Sequence, residues 1–297
     1  MRSCSGPLFW LCLALAWVVT PCAWADPPRP RLADRRGSSP RPAGAPRART
    51  RRAAEPPAPP SASMGFPNHG ALVNARLLSE GASVRYLPGR VLHHGTDELV
   101  GLLERTGRAM QRRFALRLTV GDLSARGGGL VGRHRSHQSG RDADLAFFMR
   151  TAATRGPGRP VEPDDYKVFD RNGRSLDGQH VFDLARNWAL VQTLLTDRLV
   201  RVERLFVSTP LRALLLNHAR SVNASPAIIN LAANTLVQPA RVSPHDNHFH
   251  VRIVCPQGDR RCLTGVWQPA PRRRVMPRRR PSRAPTGFGG PRRSNAR

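Results

Sequence analysis

Apolar positions in the middle of this chain follow two rhythms. Leu99, Leu102, Leu103, Thr106 and Met110 recur at three- and four-residue spacing behind Thr96, which predicts a helix with Thr96 as its N-cap. Leu184, Trp188, Val191 and Leu195 repeat that spacing and predict a helix from Val181 to about Val200. Ser208 followed by Pro210 sets the start of a third. Alternation of the two-residue kind marks Leu116 to Val120, Arg204 to Val207 and His248 to Ile253 as strands, and Asp144 to Met149 is strand-like. Helices and strands mix without regular βαβ alternation, so the fold class is α+β, a single compact domain over residues 63–267.

The flanks do not share this patterning. Arg2, the apolar run Leu8 to Val19 and the small-x-small triplet Ala23-Trp24-Ala25 read as a signal peptide over residues 1–25, too short to span a bilayer. Residues 26–62 form a Pro/Arg-rich linker and 268–297 an Arg/Pro-rich tail, both expected to be disordered. The chain carries a net charge of +28, and more than half of it lies in these segments. Nine arginines face three acids in the linker, and ten arginines face none after Trp267. That distribution argues against a specific nucleic-acid reader. It suits tails that bind anionic polymers or a membrane surface. Removal of the leader would leave Cys255 and Cys262 as the only cysteines, a natural disulfide in an exported, periplasmic or secreted protein.

The candidate chemistry lies in two histidine-rich runs. His134 and His137 precede Asp142 and Asp144, and His245, His248 and His250 form the second group. Neutral imidazole and carboxylate are the ligands of a catalytic zinc, which takes three protein donors and keeps one position open. On a strand His248 and His250 project together while Phe249, Val251 and Ile253 face the core, and Asp142 and Asp144 likewise share a face. Gly140 lets the chain turn back, so that His137 and Asp144 can meet one ion. The residues therefore point to a zinc site of His137, Asp144 and His250, with His248 beside it. Without its neighbours, Gly127-Gly128-Gly129 reads equally as a close-approach loop or as a flexible connection.

The runs Gly121 to Gly129, His134 to Asp144 and His245 to Cys255 resemble the penicillin-insensitive murein endopeptidases, a branch of the zinc peptidases related to lysostaphin and to D-alanyl-D-alanine carboxypeptidases. His137 and Asp144 match the His-x6-Asp motif of that group, and His248 and His250 its His-x-His motif. The resemblance extends from about Gly65 to Cys262. It implies a central antiparallel sheet carrying Zn2+, and hydrolysis of peptidoglycan cross-links between D-alanine and meso-diaminopimelate by a zinc-activated water. His248 is then the first candidate for the base and His245 the second. His134, Asp177 and His180 are weaker candidates for a further metal, since Asp177-Gly-Gln-His180 matches an Asp-Gly-x-His segment of those enzymes. Two alternatives stay open: a D-Ala-D-Ala-type carboxypeptidase, or a non-catalytic basic protein that binds the wall or other polyanions.

Overall fold

The computed structural model describes residues 58–268 apart from positions 133 and 241. The leader, most of the linker and all but the first residue of the tail lie outside the described residues.

Helix α1 runs Asp97–Phe114, and Thr96 caps it by accepting from the Leu99 amide at 3.3 Å. Asp97 and Glu98 in its first turn and Arg112 and Arg113 in its last complement the helix dipole. Helix α2 spans Leu184–Leu195, shorter at both ends than the apolar spacing predicts. Asp183 is its N-cap, and His180–Phe182 before it form a strand paired antiparallel with Met149–Thr151. Val181 and Phe182 fit either period, and the cap at Asp183 decides where the helix starts. Helix α3, Thr209–Ser221, begins behind Ser208 as expected. Helix α4, Pro226–Thr235, was not predicted, although Ser225-Pro226 has the cap-and-proline form of a helix start.

The central sheet has six strands in the order Leu236–Val237, Val202–Phe206, His248–Ile253, Asp142–Ala146, Leu118–Val120, Val84–Tyr86. Its middle pairings are antiparallel, but the pair at each edge is parallel. It is accompanied by a three-stranded sheet and two strand pairs, so the expectation of one antiparallel sheet is met only in the centre. Phe249, Val251 and Ile253 are fully buried in one core with Leu99 and Leu102 of α1, Leu190 of α2, Leu211 of α3 and Ala232 of α4. The opposite face of that strand carries the histidines.

After the last central strand the chain makes a hook that returns to the strand pair Ala62–Phe66 and His69–Val73. Cys255 and Cys262 are disulfide-bonded, as the sequence suggests. Gly65 donates to Arg261 O and accepts from Leu263 N, while the buried Arg141 guanidinium donates to Leu263 O at 2.8 Å and Ile253 O at 3.1 Å. Gly128, left-handed at φ 68°, sits where a Cβ would lie 2.2 Å from Gln138 O and 2.6 Å from Leu72 N. The glycine run therefore admits the chain's own backbone, bridging Ala71 to Gly128.

Asp197, just beyond α2, ties this helix to α1. Its carboxylate accepts from Arg105 Nε at 2.7 Å and Nη2 at 2.9 Å, and from the amides of Leu199 and Val200. Burial alone would raise its pKa, but these donors outweigh burial and hold it below the usual carboxylate value. A carboxylate depressed on folding adds stability above its unfolded pKa and loses it as pH falls through the folded one. Asp197→Asn should therefore cost about 1.5–3 kcal/mol near neutrality, the usual worth of hydrogen bonds to a charged group. In strong acid the two proteins should converge, which denaturant melts at both pH values will check.

Candidate metal centre

The pairing of the two central strands sets His250 opposite Asp144 and Arg252 opposite Asp142. His137 arrives from the preceding turn with its own backbone left-handed at φ 68°, and Gly140, at φ 76°, reverses the chain between His137 and Asp144. A Cβ on Gly140 would lie 2.6 Å from the Leu72 side chain, so the turn has room for glycine only.

Three imidazole nitrogens converge on Asp144 Oδ1: His137 Nε2 at 3.3 Å, His250 Nδ1 at 3.3 Å and His248 Nε2 at 3.4 Å. The outer nitrogen of each ring faces an acceptor. His137 Nδ1 donates to Leu123 O at 2.9 Å, His250 Nε2 to Asp142 Oδ1 at 2.7 Å, and His248 Nδ1 to Asn247 Oδ1 at 2.6 Å. A proton fixed on the outer nitrogen leaves the inner one as a bare lone pair. Three lone pairs then point at an anionic oxygen, an arrangement that calls for a cation between them. Consistently, His137 Nε2 and Asp144 Oδ1 are buried without a hydrogen-bond partner. The donor set of imidazole and carboxylate fits a zinc-type ion.

With no ion bound, the same carboxylates draw a proton instead. Burial disfavours protonation of His137, yet Asp144 and Asp142 outweigh it and raise its pKa. Burial likewise opposes ionisation of Asp144, but His137 and His248 hold its pKa well below the ordinary value. His250 is pushed down to about 4, chiefly by burial and against the pull of Asp142. His245, also left-handed at φ 58°, is lowered to about 3 by burial and by the neighbouring His250 and His248. It is therefore neutral throughout the working range. Its Nδ1 donates to Ser243 O, and its ring lies 5.0 Å from that of His248.

His134 joins the same cluster. Its donor atom, with those of His137 and Asp144, forms a group within 4.8 Å of one another, able to hold a metal ion. Its Nε2 donates to Asp122 Oδ2 at 2.9 Å and its Nδ1 lies 3.8 Å from Asp144 Oδ2. Asp177 and His180 are neighbours on their turn, with His180 Nδ1 3.7 Å from Asp177 Oδ1. That Asp177 oxygen accepts from Ser175 Oγ and the Gln179 amide. Among the described residues, the metal-holding group does not include this pair.

Three contributors received no role from the sequence. Asp142 Oδ1 accepts from both His250 and Arg252 Nε, each at 2.7 Å, and so orients the His250 ring from behind. Asp122 does the same for His134 and lies 3.4 Å from Arg90 Nη1. Tyr166, from the segment before the His180–Phe182 strand, stacks on His248 at 4.7 Å, with the Arg90 guanidinium over its ring. Its hydroxyl is buried without a partner. A Cβ on Gly121 would fall 1.8 Å from that oxygen, so Gly121 makes room for Tyr166.

The family described as penicillin-insensitive murein endopeptidase matches residues 63–272. A relative from Haemophilus influenzae carrying that same name is 26% identical over 215 residues, covering 70% of this chain and 68% of its own.

Proposed function

The chain belongs to the penicillin-insensitive murein endopeptidase family, a class that acts on peptidoglycan, and from that premise we propose that it is an exported zinc metallopeptidase hydrolysing D-alanyl–meso-diaminopimelate cross-links. The observation that carries this reading is the convergence of three imidazole lone pairs on the partnerless Asp144 Oδ1. His137, Asp144 and His250 would hold the ion, and His134 stands close enough to His137 and Asp144 to share it.

Bound zinc lowers the pKa of a coordinated water toward ~7 and polarises the scissile carbonyl. The remaining tasks belong to side chains. His248, beside Asp144 and with its Nδ1 proton given to Asn247, presents a free Nε2 that takes the proton of the attacking water and returns it to the leaving amine. His245, neutral and with its Nδ1 proton given to Ser243 O, keeps its other nitrogen as an acceptor beside His248 and is the second candidate for the base. Asp142 and Leu123 O keep the ligand rings in register for a reaction that tolerates little misplacement.

Export is supported by the leader-like N-terminus and the disulfide. Among the described residues no helix is long and apolar enough to cross a membrane. The arginine-rich ends are read as contacts for anionic polymers.

The test is incubation of the purified protein with cross-linked peptidoglycan, with and without chelator, and products resolved by mass. Conversion of dimeric to monomeric muropeptides, lost on chelation and restored by zinc, is the expected result. Release of single D-alanine would instead identify a carboxypeptidase. Absence of any product from zinc-loaded protein would leave a wall-binding role.

A further inference from the structure

A cavity of about 820 Å³ opens beside the histidine cluster. His245 and His250 line it together with Phe206, Asn68, Arg135 and Trp267. Trp267 belongs to the hook, and its partner Asn68 lies 199 positions away in sequence. Its backbone is held from both sides by one carboxamide: Trp267 N donates to Asn68 Oδ1 at 2.8 Å, and Asn68 Nδ2 donates to Trp267 O at 3.0 Å. His69 stacks on its indole at 4.5 Å and 19°. The disulfide, Arg141 and Gly65 fasten the hook just upstream.

These anchors do not bury the indole, which stays 40% exposed. An aromatic side chain fixed in place yet left open to solvent on a cavity wall is a platform, because its ring loses little freedom when a ligand covers it. The two arginines of the cavity differ. Arg252 is committed to Asp142, whereas Arg135 is exposed and has no carboxylate partner among the described residues. The cavity therefore presents an indole, an uncommitted guanidinium and an opening toward His245 and His250.

We propose that this cavity is the substrate-binding subsite for one acidic peptide arm of the cross-link, with Trp267 covering its aliphatic part and Arg135 pairing with a free carboxylate. The assignment rests on the peptidoglycan reading above and adds to it which part of the substrate is recognised, and by which residues. Arginine matches a carboxylate in two parallel hydrogen bonds, so amidation of the peptide should weaken the contact.

The experiment is calorimetric titration of the purified protein, in chelator so that nothing turns over, with a dimeric cross-linked muropeptide and with the same compound after amidation of its free carboxylates. The acidic form should bind about tenfold tighter than the amidated one, the scale of one good charged contact. Arg135→Gln should abolish that preference. Trp267→Ala should weaken both forms about tenfold or more, as loss of a central aromatic anchor does. Arg135→Gln should leave the melting temperature in place, since that side chain is exposed, and Trp267→Ala should lower it by no more than the lost stacking on His69, because Asn68 holds the backbone there. In zinc-loaded protein Trp267→Ala should raise KM and spare kcat. Failure of the muropeptide to bind, or affinities unmoved by either variant, would overturn the subsite. Binding that depends on Trp267 and Arg135 without cleavage by any metal-loaded form would instead sustain the subsite and remove the hydrolase reading.

Discussion

Replacement of His248 by alanine is expected to lower turnover of cross-linked peptidoglycan by about 10²–10⁴-fold, the range for loss of a positioned acid–base group. The bound metal should stay at wild-type stoichiometry. Both halves of that statement follow from geometry. His248 Nε2 approaches the same Asp144 oxygen as the other imidazoles, but its ring is only partly buried and rests on the face of Tyr166. His137 and His250 are buried, and their outer nitrogens are tied to the backbone and to a buried carboxylate. In the proposed mechanism those two hold the ion, and His248 exchanges protons with solvent and substrate. Metal analysis and kcat on the same preparation decide the matter. Zinc lost in parallel with activity would make His248 a ligand. Full activity in His248→Ala with collapse in His245→Ala would hand the proton transfer to His245.

The second large effect is expected at a residue that never meets substrate. Asp142 is fully buried and shares one oxygen between His250 and Arg252. Burial by itself would raise its carboxyl pKa, but Arg252 and His250 hold it below the ordinary value. Asp142→Asn removes one member of a buried ion pair and strands the Arg252 charge, which costs about 3–5 kcal/mol. It also releases the proton that fixes the His250 tautomer, and loss of such an outer partner typically weakens metal binding by about 10–100-fold. The two effects can be separated. Adding Arg252→Met to Asp142→Asn should recover much of the stability, because no charge is left unpaired, while metal affinity stays weak. Denaturant melts and chelator competition on the single and double variants measure each part. Unchanged affinity in Asp142→Asn would show that His250 needs no such support.

The heart of the site was readable from the chain because it is local. A period of two on the His248–Ile253 strand sends histidines one way and Phe249, Val251 and Ile253 the other, and the fold obeys this. Gly140 signalled a reversal between His137 and Asp144, and its positive φ and crowded Cβ position bear that out. What escaped depends on contacts between distant segments. Trp267 meets Asn68 across 199 positions, and no periodicity encodes such a meeting. Tyr166 lies between short strands in a stretch whose polar residues look like an ordinary loop. Asp142 was seen as a companion of Asp144, but its service to His250 depends on the register between two strands 108 residues apart. The start of α2 was misread for a local reason. An apolar pair such as Val181-Phe182 satisfies both periods, so the pattern alone does not place the boundary.

His137 and His245 both hold backbone conformations that residues with a Cβ disfavour. Each carries a strain of roughly 1–3 kcal/mol. His137 adds to this a buried nitrogen that finds no partner in the protein. Glycine at position 245, where the side chain is only partly buried, would relax the backbone, whereas at the fully buried 137 it would also empty a packed site and take the neutralising imidazole from Asp144. A library screened for heat resistance alone should therefore accept glycine at 245 and return robust proteins that lack a proposed proton-transfer residue. Any thermostabilising programme on this scaffold has to screen for turnover in the same round, because at position 245 a gain in stability and a loss of the proposed chemistry would arrive together.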